Sequence, residues 1–246
     1  MQNPGYIALS RMMAQERALA VRAENIANAD TPGFKGESVM FSDYLLQQRG
    51  VTTPPGGQTV QMVQDRATWR DFGEGNLQKT GNALDLALQG DGFFTVNTAR
   101  GPRYTRSGRF TISQTGQVVD MAGNTLVGTD GRPITITPDD TNLTVASDGS
   151  ISSNAGQVGK LRIVRFDDQQ SMQAEGSSMF NTSQPARVVA QPNVMQGAVE
   201  SANVQPILQL TQMMNEMRDY QDVSQFVDAE AKREQSAIDQ IGHKGA

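Results

Sequence analysis

The sequence predicts an α+β protein in which long, coiled-coil-like N- and C-terminal α-helices flank a central, mostly antiparallel β domain. Three observations carry this. Apolar residues recur at three- and four-residue spacing near both ends of the 246-residue chain. Between them, short apolar pairs recur about every ten residues with turn residues in the gaps. Stretches rich in Pro and Gln, without apolar periodicity, separate these parts. The expected boundaries are residues 1–46 for an N-terminal assembly helix and the loop after it, and 47–64 for a linker. Residues 65–183 form a β-rich domain, 184–200 an extended linker, and 201–246 a C-terminal coiled-coil helix.

In the first helix, Asn3 is a good N-cap and Pro4 suits the first helical position. Leu9, Met12, Met13, Leu19, Ala20, Ala23, Ile26 and Ala27 make one apolar stripe. Asp30-Thr31-Pro32-Gly33 stops it, because Pro cannot continue a helix and Gly admits a left-handed turn. In the middle section, Leu84-Asp85-Leu86-Ala87-Leu88-Gln89 alternates like a strand with one apolar face. Asp91-Gly92 follows as a hairpin-type turn before Phe93-Phe94-Thr95-Val96. Further apolar pairs, from Phe110/Ile112 to Leu161/Ile163, are separated by turn signals at Gln114-Thr115-Gly116, Gly123-Asn124, Asp130-Gly131, Asp148-Gly149 and Asn154-Ala155-Gly156.

For the last helix, Ser201 and Asn203 are cap candidates and Pro206 sits in the first turn. From Leu210 through Met213, Met217, Tyr220, Ser224, Val227, Ala231, Glu234, Ile238 and Ile241 the spacing alternates three and four, and Gly242 is the expected stop. Some 37 residues would make a rod of roughly 55 Å. Ser224 and Glu234 interrupt the seam. Each terminal helix has a stripe to cover, either against the other or against the same helices of further copies.

Composition excludes several functions. With no Cys, disulfides, thiolate nucleophiles and zinc fingers are out, and a lone His243 leaves no His-based triad or multi-histidine metal site. A pI near 5.0 and a net charge of −5 argue against a general nucleic-acid binder. Met1-Gln2-Asn3-Pro4-Gly5 has neither the basic nor the apolar region of a secretory signal, and no apolar run reaches the ~20 residues of a membrane span. The glycines of Gly90-Asp91-Gly92 resemble a nucleotide-binding motif, but Thr95 stands at the third glycine position and a strand follows where a helix is needed. Asp139-Asp140 and Asp167-Asp168 are neighbours whose side chains diverge, which suits solvated turns better than a catalytic dyad. The methionines of the two helices read either as core or as an adaptable binding surface, and Trp69 as the edge of the β section.

Four blocks carry a family resemblance. Asn25-Ile26-Ala27-Asn28-Ala29-Asp30-Thr31-Pro32-Gly33-Phe34-Lys35 resembles the N-terminal signature of flagellar basal-body rod and hook proteins. Residues 80–94, and Tyr104-Thr105-Arg106-Ser107-Gly108-Arg109-Phe110 leading to Gly123 and Gly128, are similar to the family's central blocks. Ser201-Ala202-Asn203-Val204, with Met213-Met214 and Arg218-Asp219-Tyr220, is similar to the C-terminal one. The length and the segment Asn203-Val204-Gln205-Pro206-Ile207-Leu208 most resemble proximal-rod members, with distal-rod members as the alternative. Glu24, Pro32 and the Asp219-Tyr220-Gln221 run depart from the family's usual residues.

The resemblance implies a non-enzymatic structural subunit of the rod within the periplasm, exported by the flagellar type III apparatus without a cleaved signal. It would polymerise into a tube that transmits torque and lets later subunits pass. The implied partners are copies of itself, homologous rod proteins including the distal rod protein, and the export apparatus. No cofactor, metal, nucleic acid, small-molecule substrate or membrane insertion is implied. The heptad stripes nominate Leu9, Met12, Leu19, Ile26, Leu210, Met213, Met217, Tyr220, Val227 and Ile238 as assembly interface; Asn25, Asn28, Gly33, Phe34 and Lys35 are the family signature. Two other readings stand beside this one: a secreted β-rich binding module with ligand contacts on its β face, and a hydrolase using carboxylates alone.

Overall fold

Pro4 opens the first helix, α1 (Pro4–Ala27), and the expected stop ends it. Thr31 donates its N–H to Asn28 O at 3.0 Å and Phe34 to Thr31 O at 3.2 Å, while Gly33 adopts φ +70°. The second helix, α2 (Pro206–Lys244), begins at the expected proline but runs through Gly242. One glycine costs a helix only about 1 kcal/mol, too little to end it by itself. This computed structural model describes residues 4–46, 60–176 and 178–244. Asn3 and most of the 47–64 linker lie outside those residues.

The chain forms two units. One contains α1, α2 and a two-stranded sheet of β1 (Glu37–Leu46) and β2 (Val60–Arg70); the other contains residues 27–36 and 70–204. In the first unit the expectation of coiled-coil-like terminal helices is overturned. The two helices hold about a quarter of the chain, and among the described residues no side chain of α2 is buried, so there is no buried coiled-coil seam along it. α1 buries Ala14, Ala18, Val21 and Asn25, whereas Leu9 and Met13 are exposed.

Polar groups bridge the helices. Arg22 Nε donates to Glu216 Oε1 at 3.3 Å, and an Arg22 terminal N–H donates to Gln209 Oε1 at 3.0 Å. Asn25 Nδ2 also donates to Gln209 Oε1, at 3.3 Å. Going back along α1 from Asn25 to Arg22, the partner advances from Gln209 to Glu216, so the helices run antiparallel. Gln15 Oε1, Gln212 Oε1 and Glu216 Oε2 are buried with no hydrogen-bond partner, which weakens the pair further. Periodicity says which residues share a stripe, not which stripe faces the neighbour. On α1 the buried stripe is made of small side chains, Ala14, Ala18 and Val21.

The second unit is built of short strands. They are β3 (Leu77–Lys79), β4 (Leu86–Gln89), β5 (Phe93–Thr98), β6 (Gly101–Thr105), β7 (Phe110–Ile112), β8 (Val118–Asp120), β9 (Thr125–Leu126) and β10 (Thr144–Val145). There follow β11 (Ser150–Ser153), β12 (Gly156–Lys160), β13 (Ile163–Arg165), β14 (Gln173–Glu175), β15 (Met179–Asn181), β16 (Arg187–Val188), β17 (Asn193–Gln196) and β18 (Ala198–Glu200). The largest sheet has the order β14-β15-β6-β5-β9-β8-β7, with β13 joined to β5 and to β16. A three-stranded sheet β10-β11-β12 and the pairs β17-β4 and β18-β3 complete the unit. The expected antiparallel character holds for each of these pairings.

Phe94 packs edge-on against Phe110 at 5.4 Å in one core, while its neighbour Phe93 enters a second core with Tyr104, Phe166 and Phe180. The period-2 geometry of β5 sends adjacent phenylalanines to opposite faces, so one strand fills both cores. The turns expected at 114–116, 123–124, 148–149 and 154–156 join successive strands from β7 to β9 and from β10 to β12. Asp91-Gly92 does not close a hairpin, because β4 pairs with β17 and β5 with β6, β9 and β13. The reason is that Leu86, Ala87 and Leu88 are all buried: β4 is covered on both faces, not on one. Residues 184–200, expected as an extended linker, carry β16, β17 and β18, which pair with β13, β4 and β3.

The turn before β11 titrates in an unusual range. Lys160 Nζ and Ser150 Oγ donate to Asp148 Oδ2 at 2.9 and 2.8 Å, and these bonds, Lys160's first, lower the Asp148 carboxyl to about 2. A carboxylate whose folded value lies below its unfolded one contributes stability above about pH 4 and loses it as pH falls through about 2. Asp148→Asn is therefore expected to lower stability from about pH 4 up through neutrality and to flatten the profile between pH 4 and 2, as read by urea titrations at stepped pH.

Candidate assembly site

The signature residues meet in two places. In the helical unit, Asn25 sits at the end of α1, 1% exposed. Its Nδ2 donates to Glu37 O at 2.7 Å and its Oδ1 accepts from Glu37 N at 2.9 Å, a two-bond clamp across the ends of the intervening loop. In the β unit, Gly33, Phe34 and Lys35 are buried and Asn28 is half-buried. Gly33 donates its N–H to Glu200 O at 2.8 Å. A Cβ there would lie 2.2 Å from Ser107 N and 2.3 Å from the Arg106 carbonyl carbon, so no side chain fits. Phe34 is 1% exposed beside it, and Asn28 accepts from Thr31 in the turn.

Lys35 is the charged member. Its Nζ lies 2.6 Å from both Glu200 Oε1 and Gly73 O, with both side chains of the ion pair 1% exposed. Arg106 Nε donates to the other Glu200 oxygen at 2.9 Å, and its Nη1 donates to Gly90 O and Gly92 O at 2.8 and 2.7 Å. Gly75 N adds a bond to Glu200 Oε1 at 2.9 Å. Burial pushes the Lys35 ammonium below its ordinary value, and the adjoining Glu200 carboxylate opposes that shift. One carboxylate thus holds two cations out of water, and the carbonyls of Gly73, Gly90 and Gly92 accept from the same ammonium and guanidinium.

Asn203 completes the arrangement. It is not a helix cap, as the sequence suggested. Its Oδ1 accepts from Gly36 N at 2.8 Å, and its Nδ2 donates to Asp71 O at 2.8 Å and Gly73 O at 3.2 Å. Lys35, Asp71, Glu200 and Asn203, far apart in the chain, are thereby fastened at one point of the β unit. The charged side chains of the cluster are committed to one another: Lys35 and Arg106 both bond Glu200. Among the described residues no three His, Asp or Glu side chains converge in a way that could hold a metal ion. Likewise, no described helix is long and apolar enough to cross a membrane.

The nominated interface residues divide by exposure. Leu9, Leu210 and Met217 are exposed; Met12, Leu19, Ile26, Met213, Tyr220 and Val227 are half-buried; the side chain of Ile238 lies outside the described residues. Arg106 and Glu200 were missed by sequence reasoning. Their signal was present: a lone Glu closing the apolar strand Ala198-Val199-Glu200, and an Arg inside a block otherwise tied to strands.

A fastened β unit and terminal helices with apolar faces left bare describe a structural protein, and comparison with known proteins says of which kind. The family described as Flagella basal body rod protein matches residues 6–35, and Flagellar hook protein FlgE/F/G D1 domain matches residues 87–153. The basal-body rod protein FlgF of Caulobacter vibrioides is 38% identical over 244 residues, covering 98% of this chain and 99% of that one. FlgF of Mesorhizobium japonicum is 31% identical over 247 residues, covering 99% and 100%. FlgG of Bacillus subtilis is 29% identical over 252 residues, covering 90% and 92%. These likenesses define a structural subunit of the bacterial flagellum. The chain belongs to the flagellar basal-body rod protein family, as a FlgF-like subunit of the basal-body rod.

Proposed function

We propose that this subunit is built into the proximal part of the rod, and that it polymerises through its terminal segments, residues 1–46 and 201–246, with copies of itself and with homologous rod proteins including FlgG. The single observation that carries this is the apolar surface left bare on both terminal helices: Leu9 and Met13 on α1, and Ile207, Leu210, Met214 and Met217 on α2. The proximal position is supported by FlgF relatives 38% and 34% identical over 98% of the chain, against 29% over 90% for FlgG of Bacillus subtilis. The assembled tube lies in the periplasm, transmits torque and conducts later subunits. The subunit reaches it through the flagellar export apparatus without a cleaved signal, and performs no catalysis.

Met217→Asp tests the terminal-helix mechanism. Met217 is 45% exposed, so the change leaves the subunit's own packing intact but places a charge in the apolar stripe. Swarming in soft agar is expected to be abolished while the β unit of the purified variant melts as in the parent. Normal swimming by that strain would overturn the mechanism.

A further inference from the structure

Three stretches of the β unit meet at one ring of backbone bonds. Thr95 of β5 donates its N–H to Arg162 O at 3.3 Å, Arg162 to Val127 O at 3.1 Å, and Val127 to Thr95 O at 2.9 Å. The ring marks where β5 exchanges one neighbour for another: Val96 pairs with Leu126 on β9, whereas Phe94 pairs with Ile163 on β13. Phe93 and Val164 are paired in the second core, and Tyr104 of the same core stands opposite Thr95. Alternation along β5, and along β13 with the residue before it, puts the Thr95 and Arg162 side chains on that one face. Directly opposed side chains in an antiparallel pair have Cβ atoms about 4.5–5.5 Å apart.

Both side chains carry a buried polar atom without a partner, Thr95 Oγ1 and Arg162 Nε. Thr95 is 4% exposed and Arg162 is half-buried. The other described arginines that are buried or half-buried each have an acceptor: Glu216 for Arg22, the Lys35 carbonyl for Arg70, Glu175 for Arg103 and Glu200 for Arg106. Arg162 has none among the described residues. An unpaired guanidinium shielded from water is costly, and so is a covered hydroxyl left unbonded. A guanidinium only donates, whereas a hydroxyl donates as well as accepts, so a partner common to both is an acceptor. A single negative charge balances the cation. Both atoms are covered, so the ligand is small, and the partial exposure of Arg162 gives it a way in and out.

We infer that Arg162 and Thr95 hold a small monovalent anion of the halide class beside this ring, bonded by the Arg162 Nε–H and the Thr95 hydroxyl. The site goes beyond the rod-subunit reading and does not depend on it. The ion ties β5 to the start of β13 through side chains at a point where backbone bonds alone join them, so the β unit is more stable with the ion bound.

The purified full chain tests this. At constant ionic strength, exchanging gluconate for chloride or bromide is expected to raise the melting midpoint of the β unit by about 2–4 °C, increasing with the logarithm of halide concentration. Arg162→Gln and Thr95→Val are each expected to lose that dependence, and Arg132→Gln, at an exposed arginine, to keep it. Crystals of the parent protein grown with bromide need no variant. They are expected to show an anomalous peak within hydrogen-bond distance of Arg162 Nε and Thr95 Oγ1. A water molecule there in place of bromide, no peak at all, or a halide shift in Arg162→Gln equal to that of the parent overturns the assignment and leaves an adventitious salt effect only. The rod mechanism stands or falls separately on Met217→Asp.

Discussion

Glu200→Ala is expected to cost the β unit about 3–5 kcal/mol, the range for breaking a buried ion pair by removing one partner. The carboxylate serves Lys35, Arg106 and the Gly75 N–H at once. Its loss leaves two cations in a site where both side chains are under 5% exposed, with only backbone carbonyls to face them. Glu200 is a single carboxylate bonded to two cations, so the two sides are not equivalent. Lys35→Met removes the surplus cation and leaves Glu200 with Arg106, a neutral pair with its bonds intact. That variant is expected to cost about 1–3 kcal/mol, mostly for the donor lost at Gly73 O. Urea denaturation of the three proteins, followed by tyrosine and tryptophan fluorescence and by circular dichroism, measures both values. Equal costs for Glu200→Ala and Lys35→Met would show that burial of charge is not what holds the loop.

Gly33→Ala is expected to be nearly as damaging, for a steric reason. The methyl group would enter within 2.2 Å of Ser107 N, backbone that β-strand pairing nearby holds in place. The residue would also have to keep φ +70°, which costs an L-residue about 1–2 kcal/mol by itself. The loop at 27–36 must then leave its seat, taking Lys35 from Glu200, for a total above about 3 kcal/mol. Gly81→Ala is the matched control. Gly81 has φ +76° but nothing within 4 Å of a new Cβ, so it isolates the backbone term at about 1–2 kcal/mol. Hydrogen exchange distinguishes the two: Gly33→Ala is expected to expose the amides of Phe34, Gly36 and Asn203 while those of β5 and β6 stay protected. If the two glycine variants behave alike, the loop yields to the methyl and the close approach to Ser107 is not limiting.

Sequence alone determined the order of parts in this protein. Helix, β region, helix could be read because each element's signal is local: Pro4 and the 30–33 stop for α1, Pro206 for α2, and glycine-bearing turns between successive strands from β7 to β9 and from β10 to β12. The family was equally legible, since Asn25, Gly33, Phe34 and Lys35 form one contiguous block. What the signature residues do was not legible. Glu200 lies 165 residues from Lys35 and 94 from Arg106, and no local pattern relates a lone carboxylate in one strand to cations elsewhere. The buried face of α1 was misread for a related reason. Hydropathy favours Leu9 and Met12 for the interior, but Ala14, Ala18 and Val21 are the residues buried on α1, and Leu9 is exposed. Likewise, Asp91-Gly92 has the composition of a hairpin turn, yet the partner of β4 is β17, over a hundred residues away. Propensity and periodicity act within a few residues and determine which elements form. Which face is covered, which strands pair and which charges meet depends on burial and electrostatics between distant residues, and only the tertiary structure decides those.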